Sequence, residues 1–280
     1  MVRSRRVVVP APTSCGTPSH HQVLALRGLL LAARPVQQHI TNISAAADAI
    51  AIANANANTN TAAGPHRVRP VRVLVVVRTK SRGLRDGDGL IMRLANGSAA
   101  AGFQVRLFAD NETVAPSQAA ILAAFATSDV IVAPHGAGLS NIVVAPPCAT
   151  VIEARASGHP ACYKHLATVL GLAYEPACRP EPSTDAGKGN PSGLCPLAHD
   201  RIDADAARVV ALVRSAVGRV RRHLHRRHFR HGDDHHASHP ASQPLKGDDP
   251  HGACVANAEA FLRSHARATA DITRRRQRRT

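Results

Sequence analysis

A chain of 280 residues is long enough for one domain with extended tails. With 2% aromatic residues and no Trp, any core must be built from Val, Leu, Ile and Ala. The formal charge of +16 points to anionic partners or basic tails, and the longest apolar stretch, Val23 to Ala33, is broken by Arg27 and falls short of the ~20 residues of a membrane span.

In chain order, the first twenty residues carry Pro10, Pro12 and Pro18 and do not form the apolar segment of a signal peptide. Gln22 to Arg34 reads as a short helix stopped by Pro35, and Ile40 to Gly64, rich in Ala and Asn, reads as a disordered insert. Val71 to Val77 is a continuous β-branched run, the pattern of a parallel strand buried on both faces. A polar loop, Arg78 to Gly89, leads to a helix from Leu90 to Ala101, then a strand from Phe103 to Phe108. A helix over Ser117 to Thr127 and a strand over Val130 to Val132 follow. After the glycine-containing turn 134–141 come a strand at Thr150 to Glu153, a helix at Tyr163 to Leu170 and a short strand at Leu172 to Tyr174. Arg179 to Asp200 reads as a Pro/Gly-rich loop and Asp203 to Arg230 as a helix that turns strongly basic. Strand–helix alternation with short connections predicts an α/β fold, a Rossmann-like parallel sheet whose ligand sits beyond the carboxyl ends of the strands. Three regions result: 1–67, a short helix plus low-complexity sequence; 68–220, the Rossmann-like domain; and 221–280, a basic, largely disordered tail.

The loops at that carboxyl edge hold the candidate chemistry. Pro134-His135-Gly136-Ala137-Gly138-Leu139-Ser140-Asn141 breaks a strand and opens a helix, leaving backbone N–H groups and a helix N-terminus where a phosphate can sit. Arg78, Lys80, Arg82 and Arg85 follow the first strand, and arginine grips phosphate oxygens bidentately. Glu153 ends a strand at the same edge, where an acid commonly accepts bonds from ribose hydroxyls. His135 is a candidate general base or hydrogen-bond donor. Asp110 and Glu112 follow the second strand. Asp86-Gly87-Asp88 has the spacing of a metal-binding D-x-D, but it precedes a helix and reads as a cap; Asp203 and Asp205 read as helix N-terminal acids.

The six cysteines, Cys15, Cys148, Cys162, Cys178, Cys195 and Cys254, show no CxxC spacing, so no zinc site is expected. Several could pair in an oxidising lumen, with connectivity open. Sequons stand at Asn42, Asn96 and Asn111. Six Arg in 219–231 and five in 274–279 offer sequence-independent affinity for nucleic acid, with little aromatic interleaving for base stacking. No G-x-S-x-G elbow supports a serine hydrolase.

The order of these segments, above all Val130 to Asn141 with its HGAGL-and-Asn motif, resembles the carboxyl half of glycosyltransferase family 61, which includes plant β-1,2-xylosyltransferases and extracellular O-linked N-acetylglucosaminyltransferases. The likeness spans about 68–178, with weaker agreement at Gln22–Arg34 and Arg201–Val217, and includes the paired arginines (Arg78 with Arg82 or Arg85), Gln118 and Glu153. It implies the donor-binding half of a GT-B-type enzyme that transfers a sugar from a nucleotide sugar, a UDP-sugar by expectation, to a glycan or glycoprotein with inversion. Neither metal nor cofactor is expected. Implied donor contacts are Arg78, Arg82, Arg85, His135, Gly136, Ala137, Gly138, Asn141 and Glu153, with His135 as candidate base. The chain departs in carrying Asp86-Gly87-Asp88 where the family usually has Asn, and residues 1–67 are too short and too low in complexity for an acceptor domain. The family places the enzyme in the secretory pathway, in the ER or Golgi. The competing expectations are an inactive or truncated transferase fragment and nucleic-acid binding through the basic tail.

Overall fold

The computed structural model describes residues 20–57, 69–78, 82–110, 116–179 and 193–230. Expectations for Cys15, residues 58–66, Lys80, Asn111, Glu112, Cys254 and the tail beyond Arg230 lie outside them, as does the side chain of Asp110.

Strands β1 (Val71–Arg78), β2 (Phe103–Asp110), β3 (Val130–Pro134), β4 (Thr150–Ala154) and β5 (Ala173–Pro176) form one sheet in the order β2-β1-β3-β4-β5, with every pairing parallel. This is the Rossmann-like α/β arrangement expected from the alternation of β-branched runs and helices. Both faces are covered, so alternate residues of each strand enter different cores. Val71, Val73, Val75, Val130, Val132 and Ile152 face α3 (Gly87–Ala101) and α6 (Ala206–Arg230). Leu74, Val76, Ile131, Ala133 and Val151 face α4 (Gln118–Ala126), a 3₁₀ helix (Ala137–Val144) and α5 (Cys162–Leu170). The entry to β1 is fixed by Asp129, which takes a bidentate pair from Arg69 at 2.7 Å and accepts the backbone N–H of Arg72 at 2.9 Å.

The amino-terminal region differs from its expectation. After α1 (His20–Ala32), Pro35 does not stop the chain's helical course; it lies at the start of α2 (Arg34–Ala57), which takes in the Ala/Asn tract as far as Ala57. Proline costs little in a first turn, whose N–H groups have no intrahelical partner, and alanine is the strongest helix former. Val23 and Val36 are buried with the second core, and Ile40 packs against it. Arg27, the residue that broke the apolar stretch, is buried and donates from Nη2 to the carbonyl of Ala145 at 2.6 Å. Burial pushes its pKa down to about 10. At the other end α6 continues to Arg230, so the basic segment from 221 begins as helix. Asp205 caps it as expected, its Oδ1 accepting the N–H of Ala207 and Arg208. Within the segment read as loop, β6 (Leu197–Ala198) and β7 (Arg201–Ile202) form a small antiparallel hairpin.

Candidate functional site

In an open parallel sheet the ligand crevice lies where successive connections leave to opposite faces, which for the order 2-1-3-4-5 is between β1 and β3. Here the β1–β3 ladder ends at Val75↔Val132, while the β1–β2 ladder continues to Arg78↔Asp110. The two central strands therefore part at their carboxyl ends, with Arg78 on one lip and His135 on the other. Arg78 Nη1 spans the gap to the carbonyl of His135 at 3.3 Å.

The turn after β3 is made possible by Gly136, at φ 152° and ψ 177°, a conformation closed to residues with a Cβ. A Cβ there would also lie 2.4 Å from Arg78 Nη1. Gly138 has no positive φ and a Cβ on it would meet open space. The first N–H groups of the 3₁₀ helix, starting at Ala137, lack intrahelical partners by position. Asn141 folds back to donate to the carbonyl of Gly138 at 2.9 Å and accepts from Gln118 at 3.2 Å. It shapes the turn, rather than reaching outward as a ligand contact.

His135 is buried and its Nδ1 donates to Glu153 Oε1 at 2.7 Å. Glu153 is fully buried in β4, and its other oxygen accepts from the Tyr174 hydroxyl at 2.5 Å. The expected role of Glu153 as a ribose contact is thereby corrected. Both oxygens are engaged inside the protein, and the carboxylate orients the imidazole instead. Arg155, two residues on, turns elsewhere: its Nη1 donates to the carbonyl of His159 at 3.0 Å. Tyr163 and His159 pack on the His135 ring, with centroids at 5.2 and 4.8 Å. The Tyr163 hydroxyl bonds Ser140.

Tyr163 and Tyr174 are the two tyrosines of the chain, and both close around His135–Glu153. Sequence reasoning passed over them, although their scarcity was visible. Burial raises the pKa of each above the ordinary 10.0, and the nearby Glu153 charge raises it further. The Ser140 bond and the charges of Arg78 and Arg82 oppose this at Tyr163, as Arg155 does at Tyr174. A pKa raised by folding means stability that is complete below the unfolded value and lost as pH climbs through the folded one. With no Trp present, tyrosinate absorbance reports these two groups alone. We expect none to appear until above pH ~10, and then together with loss of the fold. Ionisation of either phenol near pH ~10 with the fold intact would contradict the packing described.

The remaining arginines divide. Arg82, at φ 61°, is near enough for its charge to act on Tyr163 in the lowering direction, as that of Arg78 does. Arg85 is ion-paired to Asp203 at 2.9 Å, both side chains being exposed, and this weakens its expected role as a donor contact. Asp86 stands at the start of α3: its backbone carbonyl accepts from Leu90 N at 3.0 Å, and its carboxylate lies against Gly89, 2.2 Å from where a Cβ would stand. Beside the crevice, β1 and the first turn of α3 enclose a cleft of about 490 Å³ lined by Arg78, Arg85, Asp86, Asp88 and Arg201. Among the described residues no cysteine is free, and Cys178 is bonded to Cys195. No described helix is long and apolar enough to cross a membrane.

Comparison with known sequences gives a match to the family model described as Glycosyltransferase 61 over residues 2–152. The match takes in the amino-terminal helices, where the weaker likeness at Gln22–Arg34 lies, together with β1 to β3 and the first part of β4, and it ends before Glu153. No curated protein matches the chain. Among the solved structures that match is the crystal structure of a glycerate dehydrogenase related protein from Thermoplasma acidophilum. It is 14% identical over 74% of this chain and 73% of that one, with a TM-score of 0.28, too loose a likeness to build on.

Proposed function

Because the chain belongs to glycosyltransferase family 61 and is thus a glycosyltransferase acting between a sugar donor and a glycan acceptor, we propose that its β1/β3 crevice binds the diphosphate of a nucleotide sugar, a UDP-sugar foremost. In this reading the domain is the donor half of a GT-B-type enzyme and transfer proceeds with inversion. Arg78, Arg82 and the N–H groups following Gly136 hold the diphosphate without a metal ion. His135, its Nδ1 turned to Glu153, offers Nε2 to deprotonate the acceptor hydroxyl. The observation that supports this most is the meeting, on one crevice, of a cation from β1 with an anion-accepting turn and an oriented imidazole from β3. The Cys178–Cys195 disulfide fits the oxidising lumen of the secretory pathway, the compartment proposed.

Calorimetric titration with UDP tests the reading. Affinity is expected to be unchanged by EDTA. Arg78→Ala and Arg82→Ala should each weaken it by ~1.5–3 kcal/mol, the scale of a hydrogen bond to a charged group. Collapse of affinity on chelation would instead assign the nucleotide to Asp86 and Asp88 through a metal. Indifference to both arginine changes would remove the crevice from consideration.

A further inference from the structure

Residues 193–204 return across the carboxyl edge of the sheet and are fastened at two places. At β4, Cys195 bridges to Ala156, its N–H donates to the carbonyl of Arg155 at 2.7 Å, and its sulfur is bonded to Cys178 just after β5. At β1, the β6–β7 hairpin docks on the arginine loop. Its two-residue tip, His199 and Asp200, is left-handed at φ 48° and 60°, as a tight hairpin of this twist requires. Arg82 N donates to Asp200 O at 2.7 Å, Ile202 N to Gly83 O at 2.8 Å, and Arg85 N to Ile202 O at 3.0 Å, while Ile202 is fully buried.

The arginine loop is thus clamped, and Arg201 is carried into the wall of the 490 Å³ cleft beside Arg78. Its Nη1 donates to the carbonyl of Arg78 at 3.4 Å. The guanidinium can lie there because residue 83 is glycine: a Cβ would stand 2.6 Å from Arg201 Nη1 and 2.3 Å from Arg78 O. Opposite, Gly87 and Asp88 form the first turn of α3, with the Asp86 carboxylate turned over Gly89. An arginine held by backbone pairing on both flanks loses little freedom on meeting an anion, and its planar fork suits phosphate oxygens.

We infer that the β6–β7 hairpin is a wall of the donor site, and that Arg201 is a further diphosphate-binding arginine held there by the clamp. This rests on the nucleotide-sugar reading above and extends it to a residue outside the glycine turn and the paired arginines. The full, disulfide-intact chain is titrated with UDP, UMP and inorganic pyrophosphate, in wild type, Arg201→Ala and Arg201→Gln, with thermal melting of each. Gln removes the charge while keeping the polar stem as far as the Nε position, so its melting temperature read beside its affinity separates a prop from an anion contact. Both variants are expected to lose about tenfold for UDP and pyrophosphate, as for a charge-assisted bond, and less for UMP. Gln should melt with wild type. Wild-type affinity in Arg201→Gln overturns the inference and leaves the nucleotide-sugar reading standing. Arg201-dependent binding of pyrophosphate without binding of UDP upholds the inference and removes the nucleotide. Binding of neither by wild type overturns both.

Discussion

Gly136→Ala is expected to destabilise the domain by ~1–3 kcal/mol and to abolish nucleotide diphosphate binding. Two costs combine. The backbone at φ 152° and ψ 177° belongs to a region that residues with a Cβ reach only under strain of ~1–3 kcal/mol. The new methyl must also displace Arg78 Nη1, 2.4 Å from its ideal position; this is the far end of a side chain that can swing aside, so the second cost falls on the crevice more than on stability. Because the group displaced is itself the cation of the crevice, fold and binding suffer together. Gly138→Val separates them: its Cβ meets no protein atom and its φ is ordinary, so denaturation midpoints should match wild type. Binding should still fall at least ~10-fold, since the side chain rises over the backbone N–H groups proposed to face phosphate. Equal stability of Gly136→Ala and wild type in chemical denaturation would refute the turn geometry. Unaltered binding in Gly138→Val would refute the backbone cradle.

The contrast between the two glycines marks what sequence could convey. The motif announced a turn with exposed N–H groups, because glycine on both sides of one alanine at a strand end has few other uses. Which glycine carries the forbidden φ depends on how the 3₁₀ helix closes over the crevice, and the sequence looks the same either way. The strands were legible for a simpler reason: a parallel strand covered on both faces needs an unbroken apolar run, and Val73 to Val77 is one. Glu153 was placed correctly at the carboxyl edge of β4 but given the wrong neighbour. Its partners arrive from β3 and β5, and a residue's depth at a strand end depends on such long-range company. The β6–β7 hairpin was invisible because two-residue strands carry no periodicity and its left-handed tip uses His and Asp without glycine. The Ala/Asn tract of α2 misled for the opposite reason, its low complexity masking the helix propensity of its alanines and the anchoring apolar residues, Val36 just ahead of it and Ile40 at its start.

Glu153→Gln is expected to lower the rate of sugar transfer by ~10²–10⁴-fold, the range a positioned general base supplies, while UDP affinity stays within about threefold of wild type. The side chain contacts His135 and Tyr174 and is wholly buried, so it has no direct hold on a donor. What it controls is the imidazole: an acceptor at Nδ1 keeps the proton there and leaves the lone pair on Nε2, the atom proposed as the base. An amide can present its N–H₂ group to Nδ1 instead, which favours the other tautomer and removes the base without emptying the site. His135→Ala should lose as much, and the double variant no more, because the two residues act as one device. Tyr174→Phe leaves the His135 bond in place and should cost the transfer rate little, although the Glu153 oxygen it abandons is buried and the fold loses ~1–3 kcal/mol. Single-turnover transfer from UDP-sugar, measured beside calorimetric UDP affinity, distinguishes these outcomes. Were Glu153→Gln to bind UDP tenfold more weakly yet transfer sugar at the wild-type rate once saturated, Glu153 would belong to donor recognition after all, and the base would have to be sought elsewhere.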